Sequence, residues 1–240
     1  LRVGVVLPDR VPVGQHLPRG APVHAAVHAA RRHAHAELRA ARLYAARVPP
    51  AARARHLARV RERYPVVLHG VGLNLLGSGP LDERYLDSLC RLADDVDAPF
   101  VTDHLCWTGS GGVSHHDLLP TPYRPELIDW AAERARYVQR RLGRPFGLEN
   151  LSSYVRFQSS TMTEWDFLAS VVARSGCHLL LDLNNIFVSG RNHGFDPEAY
   201  LGAIDFSRVL QVHLAGPAQE PDGSWVDTHD HPVRDEVWAL

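Results

Sequence analysis

From His56 onward, short and nearly continuous apolar runs alternate with amphipathic helical stretches, and no other feature narrows the possible folds so far. Tyr64 to His69, Pro99 to His104, Pro145 to Glu149, Cys177 to Asn184 and Arg208 to Ala215 read as strands. Between them, Pro80 to Val96, Pro125 to Leu142, Thr163 to Arg174 and Pro197 to Ile204 read as helices, with helical spacing clearest at Leu81, Tyr85, Leu89 and Leu92. Strands that are apolar throughout are buried on both faces, which happens when helices cover a parallel sheet. A closed barrel fits better than an open doubly wound sheet, because no glycine-rich phosphate loop follows the first strand and almost every strand ends in a polar residue. The expectation is an α/β fold of the TIM type, a (β/α)8 barrel over residues 56–240, incomplete at both ends and lacking its final strand.

Those polar ends carry the chemistry. Successive runs end in His69, His104, Glu149, Asp182 with Asn184 and Asn185, and His213, and Asp227-Thr-His229 follows in what reads as a loop. A barrel gathers the carboxyl ends of its strands on one face, so residues far apart in sequence meet there. A single strand-terminal histidine is more often a hydrogen-bonded rim residue than a ligand. A whole series of imidazole, carboxylate and amide groups is different, since burying so many ionisable groups costs several kcal/mol each unless cations pair them. The absence of thiolates from this set excludes iron–sulfur clusters and cysteine-type zinc sites, and it fits zinc, manganese or non-haem iron. The donors exceed the needs of one ion, so two or three metals bridged by a carboxylate such as Glu149 are expected. Such centres either hydrolyse an ester, usually a phosphate, or manage electrons and oxygen. Spacing alone does not choose between these.

Composition removes other classes. Cys90, Cys106 and Cys177 are odd in number and have no paired spacing, which argues against a disulfide framework. No apolar run approaches the roughly 20 residues needed to span a bilayer, and no signal-peptide pattern opens the chain, so a cytoplasmic protein with no membrane partner is expected. Up to His56 there are ten arginines against two acids, whereas the remainder has sixteen against twenty-five. Residues 1–55 thus read as a basic, Ala/Arg/His-rich leader, in which Leu1 to Leu7 could supply a replacement strand. The acidic balance of the rest weighs against nucleic acid, which needs a positive face. The tryptophans read as core or rim aromatics, with Trp107 placed to line a substrate groove. His115 and His116 sit beside a glycine-rich loop, Gly109 to Gly112, that could close over the site. Ser152 and Ser153 read as braces for the strand ending at Glu149, since no His–Asp relay is arranged to activate them.

The motifs His69-Gly-Val-Gly-Leu-Asn, Thr102-Asp-His-Leu-Cys-Trp, His116-Asp-Leu-Leu-Pro, Leu148-Glu-Asn-Leu-Ser-Ser-Tyr, Leu181-Asp-Leu-Asn-Asn, Asn192-His-Gly-Phe-Asp-Pro, Val212-His-Leu-Ala-Gly and Asp227-Thr-His-Asp occur in order from Leu57 onward. Together they resemble the multinuclear non-haem iron-dependent oxidative enzymes, the family catalogued as domain of unknown function 692. The resemblance implies a barrel of the xylose-isomerase-like kind and iron, two or three ions, held by His69, His104, Glu149, Asp182, Asn185, His213, Asp227 and His229. Asn185 is preferred to Asn184 on the Asp-x-x-ligand spacing. The resemblance also implies that a cysteine-containing precursor peptide is modified with O2, commonly with a small peptide-presenting partner protein. Trp107, Asn150 and His193 are the positions expected near substrate. Two departures from the family pattern stand out: a further glutamate is expected beyond Leu240, and Pro217 occupies a position that is commonly histidine. The runner-up function is a phosphodiester hydrolase using zinc or manganese on the same ligands, and a third reading is an inactive fragment.

Overall fold

The structure is a computed structural model that describes residues 2–5, 50–110 and 113–240. The proposed leader therefore lies largely outside the described residues. Its expected boundary at residue 55 falls within the first described helix, α1 (Pro50–Arg61).

Five short strands build the frame: β2 (Val66–His69), β3 (Val101–His104), β6 (Phe146–Glu149), β7 (His178–Asp182) and β8 (Val209–His213). Neighbours in this series pair in parallel. Helices connect them: α2 (Glu83–Asp95), α3 (Pro125–Leu142), α4 (Glu164–Ser175), α5 (Leu183–His193) and α6 (Pro197–Gly202). This is the parallel sheet of a (β/α) barrel, incomplete among the described residues. β1 (Arg2–Val5) takes the free edge of β2. It does so antiparallel, not in the parallel sense of a barrel's first strand.

The core explains the apolar runs. Val66, Leu68, Val101, Phe146, Leu148, Leu179 and Leu181 of the strands pack in one cluster with Leu86 and Leu89 of α2, Ala131, Ala135 and Val138 of α3, and Phe167, Leu168 and Val171 of α4. Each fully buried Leu or Phe contributes about 1.5–3 kcal/mol against leaving it in water. Helix ends follow the local sequence. Asp82 accepts from the Arg84 and Tyr85 amides at the start of α2, Thr163 caps α4, and Gly143, Gly176 and Gly194 take the left-handed conformation that closes α3, α4 and α5.

Three expectations need correction. The strand read as Cys177 to Asn184 stops at Asp182, because the Asp182 carboxylate accepts the Asn185 amide at 2.7 Å and starts α5 at once. Gly109 and Ser110, read as part of a glycine-rich loop, instead end β4 (Trp107–Ser110), which pairs antiparallel with β5 (Val113–Leu119), and residues 111–112 lie outside the described residues. Asp227 and His229 lie in β10 (Trp225–His231), paired with β9 (Gly216–Gln219), and not in a loop. The register jumps from Val226 opposite Ala218 to His231 opposite Gly216, so residues 227–230 form a bulge. A short helix, α7 (Asp235–Trp238), follows.

Candidate metal centre

Each of the five parallel strands ends on a potential ligand: His69, His104, Glu149, Asp182 and His213 in turn. Because the strands are in parallel register, with His104 opposite Glu149 and Asp182 opposite His213, their last side chains meet. His69 Nε2 and His104 Nε2 lie 2.9 and 3.0 Å from Glu149 Oε2. His213 Nδ1 lies 3.3 Å from Glu149 Oε1 and 3.8 Å from Asp182 Oδ2. Two triads result, His69–His104–Glu149 and Glu149–Asp182–His213, each with its ligand atoms within 4.8 Å of one another and both sharing Glu149.

The fit to metal rests on what these atoms lack. Asp182 Oδ2, Asn184 Oδ1 and Asn185 Oδ1 are buried without a hydrogen-bond partner, and His69 Nε2 and Glu149 Oε2 are buried at the 2.9 Å contact they make with each other. An unsatisfied buried polar atom costs about 1–3 kcal/mol, and several pointing into one region are what a cation-binding pocket requires. The outward-facing ring nitrogens, by contrast, are engaged. His69 Nδ1 meets Thr102 Oγ1 at 2.8 Å, His104 Nδ1 donates to the Gly70 carbonyl at 3.2 Å, and His213 Nε2 lies 3.0 Å from the Gln211 amide nitrogen. Such outer contacts fix ring orientation in metal sites.

Electrostatics agree. Burial alone would raise the Glu149 carboxyl, but His104 and His69 beside it hold it well below the usual carboxylate range. Burial drives His69 down to about 4 against the pull of Glu149, so its ring is neutral at pH 7. Burial and then the Glu149 charge push Asp182 up to about 7, with His213 opposing. Two carboxylates packed this closely resist ionising together, and a divalent cation between them removes that penalty.

The bulge brings in a third group. His229 Nε2 lies 2.9 Å from Asp227 Oδ1, and Asn184 donates to the same oxygen at 2.6 Å. It is therefore Asn184 that touches Asp227, whereas the Asn185 side chain donates to the Asn150 carbonyl. His229 has φ of 56°, a left-handed conformation unusual outside glycine, asparagine and aspartate, held by the bulge.

The three residues expected near substrate have structural partners. Asn150 spends both ends of its amide on the Asp182 main chain, donating to its carbonyl and accepting from its amide. His193 Nε2 meets Ser153 Oγ at 3.0 Å at the end of α5, and Trp107 Nε1 donates to the Pro120 carbonyl. Ser153 is tied to α5 rather than to the strand ending at Glu149, its amide donating to Ser189 Oγ. Tyr154, not singled out from sequence, exposes its ring while its hydroxyl accepts from the Asp227 amide and donates to Ser152. Thr102 and Gln211 were also missed. The strand period of two would have found them, since each stands two residues before a ligand on the same face.

Residues 23–240 match the family described as "RiPP precursor modification enzyme MbnB/TglH/ChrH". A UPF0276 protein of Caulobacter vibrioides is 52% identical over 181 residues, 75% of this chain and 64% of that protein. Another, of Rhizorhabdus wittichii, is 52% identical over 184 residues, 77% of this chain and 66% of that protein. The chain thus spans 64% of the length of the Caulobacter relative. Among solved structures, L-ribulose 3-epimerase is 15% identical with a TM-score of 0.47, over 77% of this chain and 65% of that one. A D-tagatose 3-epimerase-like protein is 17% identical with a TM-score of 0.45, over 75% and 66%.

Proposed function

The chain belongs to the RiPP precursor modification enzyme family MbnB/TglH/ChrH, and on that premise we propose that it oxidises a cysteine residue of a ribosomally made peptide with O2 at a centre of two or three non-haem irons. The observation that carries this reading is the pair of buried triads sharing Glu149, with Asp182 Oδ2 left without a hydrogen-bond partner. When bound, iron would supply Lewis-acidic capture of the cysteine thiolate and a path for electrons to O2, the oxidant. His69, His104 and Glu149 would hold one ion, Glu149, Asp182 and His213 a second, and Asp227 and His229 with an asparagine amide a third. The burial of Glu149 and Asp182 keeps bulk water from the ligands. The half-buried His213, Asp227 and His229 form the more open side, where a peptide has access. A cysteine-containing precursor is the substrate, and a small partner protein presents it.

The test is anaerobic purification, metal counting and incubation with cysteine-containing peptide, reductant and O2. At least two irons per chain, O2 consumption and a change in peptide mass are expected. Zinc alone at full occupancy with no O2 consumed would overturn the oxidase reading and favour a zinc-dependent phosphodiester hydrolase.

A further inference from the structure

We propose that Gln211 is a positioning residue that sets the His213 tautomer and, by turning its amide over, makes Nδ1 available as a ligand in the Glu149–Asp182–His213 triad. The inference rests on the metal reading above. A neutral imidazole donates from one nitrogen and accepts at the other, and only the nitrogen without a proton can bind a metal.

The three histidines of the centre are not oriented alike. His69 and His104 turn Nε2 toward Glu149 and Nδ1 outward. At His104 the outer partner is the Gly70 carbonyl, which can only accept, so Nδ1 keeps its proton and Nε2 is the nitrogen a metal would take. His213 is reversed, with Nδ1 toward Glu149 and Asp182 and Nε2 against Gln211. Its outer partner is a primary amide, which can act either way.

With the Gln211 nitrogen at His213 Nε2, the ring accepts there and its proton sits on Nδ1, aimed at Glu149 Oε1. That arrangement suits the carboxylate, but a proton on Nδ1 blocks ligation. A half-turn of the amide puts Gln211 Oε1 at the ring, where it accepts from Nε2–H and leaves the lone pair on Nδ1. The turn uses one terminal torsion and no backbone movement. Nothing opposes it through the oxygen, because Gln211 Oε1 is buried with no hydrogen-bond partner in its present orientation. Gln211 and His213 are two apart on β8, so the strand pleat keeps amide and ring on one face throughout.

Gln211→Glu and Gln211→Leu separate this role from packing. A carboxylate can only accept and so imposes the ligating tautomer, whereas leucine fills similar volume with no hydrogen bond. In metal-free protein with nitrogen-15-labelled histidine at pH 8, ring proton–nitrogen spectra should show the His213 proton on Nδ1 in the parent chain and on Nε2 in Gln211→Glu. In anaerobic titration with ferrous iron, Gln211→Leu should weaken one equivalent by roughly 10 to 100-fold, while Gln211→Glu stays within a few-fold of the parent. Unchanged binding by Gln211→Leu, equal losses in both variants, or no tautomer difference in the metal-free spectra would overturn the proposal. If the parent chain takes up no iron, the metal reading fails by itself, and the metal-free spectra still decide whether Gln211 governs the ring.

Discussion

Glu149 is the residue on which the two triads depend, since both of its oxygens face histidines from different strands. Glu149→Gln should therefore remove more than one metal per chain, whereas His69→Ala should remove about one. Metal analysis after anaerobic reconstitution checks this, and equal losses would rule against a shared carboxylate. A second buried acid acts on stability alone. Glu164 accepts from Tyr200 and Tyr123 and from the Leu151 amide, yet burial outweighs these and pushes its carboxyl up to about 7. The folded chain thus holds this proton more tightly than the unfolded chain, and stability falls as pH rises from about 4.5 to about 7. Burial raises Asp103 and Asp182 with the same sign, so the informative quantity is a difference between chains. Glu164→Gln should flatten the fall and be more stable than the parent at pH 8 by roughly 1–3 kcal/mol. Denaturant melts at pH 5 and pH 8 test it, and parallel pH profiles for the two chains would contradict it.

At the scale of elements, the β9–β10 hairpin positions Asp227 and His229, the proposed ligands of a third ion, as the strand ends position the residues of the two triads. Its bulge needs Gly216. A Cβ there would lie 2.1 Å from the His231 carbonyl oxygen and 2.4 Å from that of Pro232, both main-chain atoms that cannot swing aside. Gly216→Ala should displace the bulge and lose metal from the Asp227–His229 position while the two triads keep theirs. It should also cost about 1–3 kcal/mol of stability, the range for overpacking. Metal counts with a thermal melt would show it, and a full complement would mean that the bulge is not the third site's scaffold. The start of α5 is equally pointed: Asp182 ends β7, caps the helix through Asn185 and still aims Oδ2 inward. One carboxylate therefore links strand, helix and centre.

Across the whole molecule, the ligands of the two triads come from five segments separated by helices, so an ion bound among them ties together strands whose order in the sheet is set mainly by their apolar sides. Binding only to the folded chain stabilises it, by about 2.7 kcal/mol at a free ion concentration one hundred times Kd. Iron-loaded protein should accordingly melt higher than chelator-treated protein, and Glu149→Gln should lose most of that increment. An identical midpoint with and without metal would mean that the ions do not bridge the strands. Among the described residues no helix is long and apolar enough to cross a membrane.

Periodicity in the sequence was enough to determine the parallel strands, their helices and the ligand types at their ends, because these depend on each residue's neighbours in the chain. The run Pro145 to Glu149, short, apolar and set between two helical stretches, reads as a buried strand with an acid at its tip, and β6 is that strand. Local order failed at Asp182, where an apolar Leu183 masked a helix start, and at residues 227–230, where pairing with β9 turned an apparent loop into a bulge. Tertiary structure decided the rest: that Glu149 is shared, that Asn184 touches Asp227, and which nitrogen each histidine turns inward. Those outcomes depend on Thr102, Gly70 and Gln211 as hydrogen-bond partners. A ring's orientation follows from what meets each nitrogen in space, and for His69 and His104 those partners come from a neighbouring strand end.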